Sequence, residues 1–233
     1  MRWAAVVVAA GRGVRLGRPK QFLELAGVPM VGWSIRIFAA LDEIAELVVA
    51  TEPESIEPMR DLVARLAPDL AWSVVRGGKT RQGSVYEGLR ALSSEVEAVL
   101  VHDGARPLVH VADVRAGMRE VRPGRAALLA APVVDTVKVV DPQSRRVEGT
   151  LDRRTLWAAQ TPQFAMAADL RAAHERARLE ARAATDDAAL LEASGIDVIA
   201  IPSSGENFKV TLPGDVARAD MLLRERVPPA SVP

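Results

Sequence analysis

A glycine-rich, cationic segment follows an apolar run near the start of the chain. Trp3 to Ala10 is apolar, and Gly11 to Lys20 then holds three glycines, three arginines and a lysine, with no acidic residue before Glu24. Glycines let a backbone approach a ligand closely, and N–H groups with fixed cations suit a phosphate. The segment predicts a strand that ends in a loop for a nucleotide's phosphates. A tight strand-to-helix turn with solvated arginines is the alternative.

A second glycine pair lies between a strand-like run and a helix-like run, in Gly77 to Thr80. It looks like the end of a P-loop, but the first glycine of that motif would fall on Ser73, inside the apparent strand. We therefore expect the two glycines to let the backbone approach a flat group such as a nucleobase. Ser84 would add a hydrogen bond from the first turn of the helix.

A carboxylate, Asp103, ends the apolar run Ala98 to His102 and precedes Gly104 to Pro107. One carboxylate with substrate phosphates and water is the usual way in which proteins hold Mg²⁺. An Asx-turn, or a simple ion pair with Arg106, is the alternative. His102 is interpreted as structural, because no second histidine is spaced to complete a metal site.

Lysine is rare in this chain. There are 26 arginines but only four lysines: Lys20, Lys79, Lys138 and Lys209. Such a bias is consistent with lysine being kept where a compact ammonium is needed, although chance is the alternative. Lys209 lies in a β-like run, where a lysine is more often a solvated edge charge.

Composition limits the class of protein. Thirty basic residues balance thirty acidic ones over 233 residues, which argues against a nucleic-acid wrapper or a membrane-surface protein. The lack of cysteine excludes disulfides and thiol catalysis. The apolar start is brief and is followed by basic residues, unlike a secretory leader, and no run approaches the roughly 20 residues of a membrane span. We expect a cytoplasmic protein.

Strand-like and helix-like segments alternate as far as Pro132. This rhythm is typical of an α/β fold with a mostly parallel, twisted sheet and helices on both faces. Ligands of such sheets lie outside the carboxyl ends of the strands, where the loops 11–20, 77–83 and 103–107 would converge. The predicted strands are Trp3 to Ala10, Glu46 to Thr51, Trp72 to Arg76, Ala98 to His102 and Ala126 to Pro132, and the predicted helices are Glu54 to Leu66, Arg81 to Leu92 and Val111 to Val121.

A hairpin interrupts the rhythm. The β-type runs 136–140 and 147–151 flank an Asp-Pro turn, which predicts an arm over about 134–153. A lone hairpin is marginal in water, so the arm packs on its own domain or on a second subunit. Beyond it we predict a helix over 170–182, an N-cap in 185–187, a strand over 197–202, a helix from Pro213 and a frayed tail over 227–233. With no linker, 1–233 is one domain. The segment 161–163 taken alone is interpreted as a solvated turn.

Together these residues resemble the family of 2-C-methyl-D-erythritol 4-phosphate cytidylyltransferases over nearly the whole chain. The order and spacing of the short motifs carry the resemblance, and Gly104, where alanine is common, is a minor departure. The motifs are Ala9-Ala10-Gly11-x-Gly13-x-Arg15-Leu16, Pro19-Lys20-Gln21, Gly77-Gly78, Arg81, Ser84-Val85, His102 to Pro107, Asp135 to Lys138, Asp152-Arg153, Thr161-Pro162-Gln163, Thr185-Asp186 and Lys209-Val210-Thr211.

The resemblance implies a Rossmann-like nucleotidyltransferase that transfers CMP from CTP to 2-C-methyl-D-erythritol 4-phosphate and releases pyrophosphate, in the non-mevalonate route to isoprenoids. It also implies Mg²⁺ and a homodimer joined through the arm. By this resemblance the catalytic residues are Arg15, Lys20 and Lys209, the CTP-binding residues are Ala9, Ala10, Gly11, Gly13, Gly78 and Ser84, the metal ligand is Asp103, and the substrate-binding residues are Asp103, Arg106, Thr161 and Thr185, with Thr136 and Arg153 from the other subunit.

Three alternatives stay open on the sequence. A related cytidylyltransferase for another polyol phosphate, such as ribitol 5-phosphate, would share the CTP loops and differ over 136–161 and at Thr185. A P-loop kinase using Gly77 to Thr80 would release ADP from ATP. A non-catalytic relative would bind CTP and release no pyrophosphate.

Overall fold

The computed structural model describes residues 1–11 and 20–226. Gly13, Arg15 and the predicted tail 227–233 lie outside the described residues. The strands are β1 (Trp3–Ala9), β2 (Glu24–Leu25), β3 (Val28–Pro29), β4 (Ile44–Thr51), β5 (Ala71–Arg76), β6 (Ala98–Asp103), β7 (Arg125–Pro132), β8 (Lys138–Val140), β9 (Val147–Thr150), β10 (Trp157–Met166) and β11 (Asp197–Pro202). The helices are α1 (Met30–Ala39), α2 (Ile56–Leu66), α3 (Arg81–Ala91), α4 (Val111–Glu120), α5 (Ala167–Leu179), α6 (Asp187–Glu192) and α7 (Pro213–Arg226).

Seven strands form one sheet in the order β11-β7-β10-β6-β1-β4-β5. Neighbouring strands are parallel, except where β10 runs antiparallel to both β6 and β7. Nearly every residue of β1, and every residue of β6, is buried. Strands buried on both faces read as continuous apolar runs, which is why these two are visible in the sequence. The predicted α/β fold with a mostly parallel sheet is confirmed.

Helices cover both faces of the sheet. The helices α1, α2 and α4 contribute to one buried apolar cluster, and α3, α5 and α6 contribute to a second one. A buried residue from each of these six helices, in that order, is Ile35, Met59, Val114, Val85, Leu170 and Leu190. Among the residues that the structure describes, none of the helices combines the length and the apolar character needed to cross a bilayer.

The interpretation of 161–163 as a solvated turn is wrong. These residues lie in β10, and Gln160 to Ala165 are all buried. Their polar groups have partners inside the fold: the Gln163 side chain donates to the Asp186 carboxylate over 2.9 Å and accepts from the Ala188 N–H over 2.8 Å. Because buried polar groups are stable when paired, a polar sequence can occupy a central strand. The same contacts tie β10 to the start of α6, where Asp186 is the N-cap.

The predicted hairpin is present, although its strands are shorter than expected. β8 pairs antiparallel with β9, and the connections lead back to β7 and β10, whose ends pair through Pro132 and Trp157. Several apolar side chains in and beside the arm are exposed, namely Val134, Val139, Val140, Val147, Leu151 and Trp157. The described part of the chain therefore leaves the apolar side chains of the arm largely uncovered.

Candidate active site

A cavity of about 340 Å³ opens at the carboxyl ends of β1 and β6, beside the start of α3. It brings together the described parts of all three predicted loops, as the sheet topology requires. The residues that line it include Ala9, Ala10, Gly11, Lys20, Gly78, Lys79, Arg81, Ser84, Asp103, Ala105 and Lys209. The predicted convergence is thus confirmed for the described residues.

The Gly77–Gly78 turn packs tightly against the chain itself. A Cβ on Gly77 would lie 2.5 Å from the Ala10 Cβ, and one on Gly78 would lie 2.6 Å from the backbone of Gly83. The turn leads into α3, where Thr80 caps the helix by accepting from the Gly83 N–H over 3.0 Å. Glycine is therefore needed here for packing of the loop, and contact with a nucleobase stays a prediction.

A P-loop is excluded at this turn. Ser73, the position where that motif needs its first glycine, lies in the middle of β5 and is paired with β4. The Ser84 hydroxyl, which is buried, donates to the carbonyl of Thr80 over 2.9 Å. It retains lone pairs with which it can accept a hydrogen bond.

Asp103 is a buried carboxylate between two cations. Its Oδ1 accepts from Arg81 Nε over 2.9 Å, and its Oδ2 accepts from Lys209 Nζ over 2.7 Å. Burial by itself would raise the pKa of this carboxyl, but the charges of Arg81 and Lys209 outweigh it and hold the pKa far below its usual range. Arg106 is a more distant partner, at 4.0 Å. Asp103 is therefore ionised at any physiological pH.

Two features of this cluster were not predicted from the residue pattern. Lys209 does not lie in a strand, since the described chain is irregular from 203 to 211, and its ammonium pairs with Asp103 instead of being a solvated edge charge. In the sequence, Arg81 stands out only as part of the motif order. Its place in the first turn of α3, after the glycine pair, was the available signal for a side chain that faces the cavity.

Thr161 and His102 support Asp103 from behind. The Thr161 hydroxyl accepts from the Asp103 N–H over 3.0 Å and lies 3.2 Å from His102 Nδ1, while His102 Nε2 lies 3.0 Å from the carbonyl of Arg106. A carbonyl can only accept, so Nε2 carries the hydrogen and Nδ1 accepts from Thr161. This confirms that His102 is structural. It also commits the Thr161 hydroxyl to two groups of the protein.

The other predicted substrate-binding residues do not line this cavity. The Arg106 guanidinium donates to the carbonyl of Asn207 over 2.7 Å. Thr136, Arg153 and Thr185 are exposed, and Arg153 donates to the carbonyl of Val134 within the arm. Of the six predicted substrate-binding residues, Asp103 is the one that the structure places in the cavity.

Replacing His102 with glutamine, which is polar but does not titrate, should flatten the pH dependence of stability. Burial lowers the pKa of His102 to about 4, against about 6.5 when unfolded. Between these values only the unfolded chain binds the proton, so stability is full above the higher value and is lost as the pH falls towards the lower one. Over this window His102 alone should lower the free energy of unfolding of the parent chain by about 3 kcal/mol.

Urea denaturation at several pH values measures the two slopes. The remaining titratable groups are common to both proteins, so the difference between the slopes isolates His102. Parallel curves for the parent chain and the variant would contradict the assignment.

Comparison with known proteins assigns nearly the whole chain to one family. A family model described as 2-C-methyl-D-erythritol 4-phosphate cytidylyltransferase (IspD) matches residues 3–225. The cytidylyltransferase of that name from Halalkalibacterium halodurans is 39% identical, covering 97% of this chain and 99% of the relative. The one from Pelotomaculum thermopropionicum is 42% identical, covering 96% and 94%.

The comparison with solved structures indicates the same family. The 4-diphosphocytidyl-2C-methyl-D-erythritol synthase of Anaerococcus prevotii superposes with a TM-score of 0.85 at 27% identity, covering 96% of both chains. The 2-C-methyl-D-erythritol 4-phosphate cytidylyltransferase of Thermus thermophilus superposes with a TM-score of 0.76 at 33% identity, covering 96% of this chain and 100% of the other. The chain therefore belongs to the 2-C-methyl-D-erythritol 4-phosphate cytidylyltransferase family, and it is a CTP-dependent cytidylyltransferase of the non-mevalonate route to isoprenoid precursors.

Proposed function

We propose that the cavity holds CTP and that the phosphate of 2-C-methyl-D-erythritol 4-phosphate attacks the α-phosphorus there. The new P–O bond forms as the bond to the leaving pyrophosphate breaks, which gives 4-diphosphocytidyl-2-C-methyl-D-erythritol. The observation that carries this assignment is the ionised Asp103, set between Arg81 and Lys209 in a cavity of about 340 Å³. That volume is within the usual range for small-molecule sites.

The reaction needs no general base. The second pKa of a phosphate monoester is about 6, so the attacking oxygen is already largely ionised at neutral pH. The barrier comes from bringing two anions together and from charge on the transferring phosphorus, which fixed cations stabilise. Arg15, Lys20 and Lys209 are proposed to provide this stabilisation.

The positions of Lys20 and Lys209 support this proposal. Lys20 lines the cavity and its Nζ donates to the carbonyl of Val210 over 3.3 Å, next to Lys209 in the chain. Arg15 is assigned from the sequence alone. The strand end and glycine turn, with Ser84, are proposed to hold the cytidine; the residues are Ala9, Ala10, Gly11, Gly13, Gly78 and Ser84.

Asp103 is the proposed ligand of Mg²⁺. Its low pKa keeps the carboxylate ionised, as a metal ligand must be, and no group of three or more acidic, histidine or cysteine side chains that could hold a metal occurs in the described ranges. A single carboxylate suits Mg²⁺, which keeps several waters and takes phosphate oxygens from its substrate. When bound, the ion neutralises charge on the phosphates. Arg81 and Lys209 hold the carboxylate in place for it.

We also propose a homodimer joined through the arm, with Thr136 and Arg153 entering the site of the second subunit. Arg106 and Thr185 are proposed to face the polyol phosphate, and Thr161, whose hydroxyl bonds to Asp103 and His102, is proposed to serve it by holding Asp103. The exposed apolar side chains of the arm support the dimer, because a lone hairpin is marginal in water and Val147 is 55% exposed. The cytoplasmic location stays a prediction.

A single charged substitution tests the proposed role of the arm in the dimer. Val147→Asp should shift the protein towards monomer in analytical ultracentrifugation and lower turnover, because an aspartate is unfavourable in an apolar interface. Leu179→Asp, on α5 and 73% exposed, is the matched control and should change neither. A fully dimeric and active Val147→Asp variant would contradict the proposed role of the arm.

A pyrophosphate-release assay with CTP and a panel of polyol phosphates tests the substrate. We expect 2-C-methyl-D-erythritol 4-phosphate to be turned over with a much higher kcat/KM than the others. A preference for ribitol 5-phosphate would overturn the choice of acceptor, and CTP binding without pyrophosphate release would overturn catalysis.

A further inference from the structure

A buried polar pair lies behind Arg81 and does not line the cavity. Asp187, at the start of α6, accepts from His174 Nε2 over 2.9 Å and from Arg81 Nη1 over 2.8 Å. The His174 and Asp187 side chains are each 1% exposed. The contacts form one chain of hydrogen bonds from α5 through α6 and α3 to Asp103 at the end of β6.

Filling a core with these charged and polar side chains costs free energy. Burying a charge carries a desolvation penalty that its partner only partly offsets, and apolar residues of similar volume are often as stable. Here the pairing is also incomplete, since His174 Nδ1 and Arg81 Nη2 have no hydrogen-bond partner among the described residues. Packing alone therefore does not account for a histidine and an aspartate at these two positions.

The guanidinium of Arg81 is held at two points. Nε bonds to Asp103 and Nη1 bonds to Asp187, and because the group is planar and rigid these contacts together set its orientation. Without Asp187 the guanidinium could turn and present two N–H groups to Asp103, the geometry that Arg–carboxylate pairs favour. Both carboxylate oxygens would then be bonded to one arginine, and fewer lone pairs would face the cavity.

We propose that Asp187, itself oriented by His174, is a positioning residue for cytidylyl transfer. It holds Arg81 to a single contact with Asp103, so that the carboxylate stays directed into the cavity. This inference rests on the proposed role of Asp103 as the ligand of a cation, and it assigns no contact with substrate to Asp187 or His174.

Two pairs of variants test it. Asp187→Asn removes the charge that holds Arg81. His174→Phe removes the donor to Asp187, whereas His174→Gln keeps an N–H that can replace Nε2. Both variants leave the charges of Asp187 and Arg81 in place. Tyr86→Phe is the control: Tyr86 bonds to Glu175 and joins the same helices α3 and α5, at the surface and away from Arg81.

Asp187→Asn should lower kcat by about 10- to 100-fold, the usual cost of losing a group that orients a metal ligand. KM for CTP should change by less than about threefold, because no contact with the nucleotide is lost. Mn²⁺ binding in the presence of CTP, followed by electron paramagnetic resonance, should weaken. His174→Phe should show the same pattern to a smaller extent, with recovery in His174→Gln and no change in Tyr86→Phe.

The inference would be overturned if Asp187→Asn had the same kcat as Tyr86→Phe. It would also be overturned if His174→Phe and His174→Gln lowered kcat equally. If Asp187→Asn does not fold, as judged by circular dichroism, the two His174 variants decide. Asp103→Asn separates this inference from the site assignment. If that variant is fully active, the role of Asp103 is wrong; if it is inactive while Asp187→Asn is normal, the positioning role alone is wrong.

Discussion

Asp103→Asn is expected to lower kcat for cytidylyl transfer by about 10²- to 10³-fold, the cost of losing one preorganised charged group at a reacting centre. The amide has nearly the same shape as the carboxylate but no charge. It would bind a cation poorly, and its NH₂ group would face either Arg81 or Lys209, both of which are donors. Steady-state rates of pyrophosphate release across a range of Mg²⁺ concentrations measure the effect.

The matched control for this variant is Asp113→Asn. Asp113 is a hydrogen-bonded carboxylate on α4 that accepts from Ser203 and does not line the cavity. It should retain the parent kcat. An Asp103→Asn enzyme with near-parent kcat and unchanged Mg²⁺ dependence would refute the metal-ligand assignment.

Lys20→Ala is expected to lower kcat by about 10²-fold or more, because the ammonium is proposed to act on charge that develops in the transition state. Lys20→Arg should recover part of the loss, since a guanidinium keeps the charge without the compact shape. Single-turnover measurement of pyrophosphate release separates this step from binding. The same loss is expected for Arg15→Ala on the sequence alone.

Arg90→Ala is the control for the lysine series, because Arg90 is an exposed cation on α3 whose pair with Glu87 lies at the surface. Its kcat should equal that of the parent. Near-normal turnover in both Lys20→Ala and Arg15→Ala would refute the roles given to these cations.

The local parts of the fold were predictable because their signals are local. Strands buried on both faces read as apolar runs, and β11 was predicted with the bounds that the structure has. Turns and caps have residue preferences of their own, as Pro213 at the start of α7 shows. The cavity followed from these elements, since carboxyl ends of parallel strands share an edge of the sheet.

The parts that the sequence did not predict depend on distant partners. The helix α1 was not predicted, and β10 is polar where it is buried, so that its pairing with β6 and β7 defines it. Lys209 meets Asp103 across more than one hundred residues, in an irregular segment. The contact of Asp187 with Arg81 is of the same kind. No periodicity or propensity encodes such pairs, because a single charged residue in the sequence does not show which distant residue it will contact.

The reversal of a single strand decides where the arm is attached. Since β10 runs against its neighbours, it starts beside the end of β7, and Trp157 pairs with Pro132 at that edge. The parallel strands β1 and β6 present Ala9 and Asp103 to the cavity at this same edge. If β10 ran parallel to its neighbours, it would start at the opposite edge of the sheet, and the arm would have to return there. The antiparallel direction of β10 thus sets the arm beside the cavity, and a graft of residues 133–156 between homologues would leave Pro132 and Trp157 of the recipient as its junction.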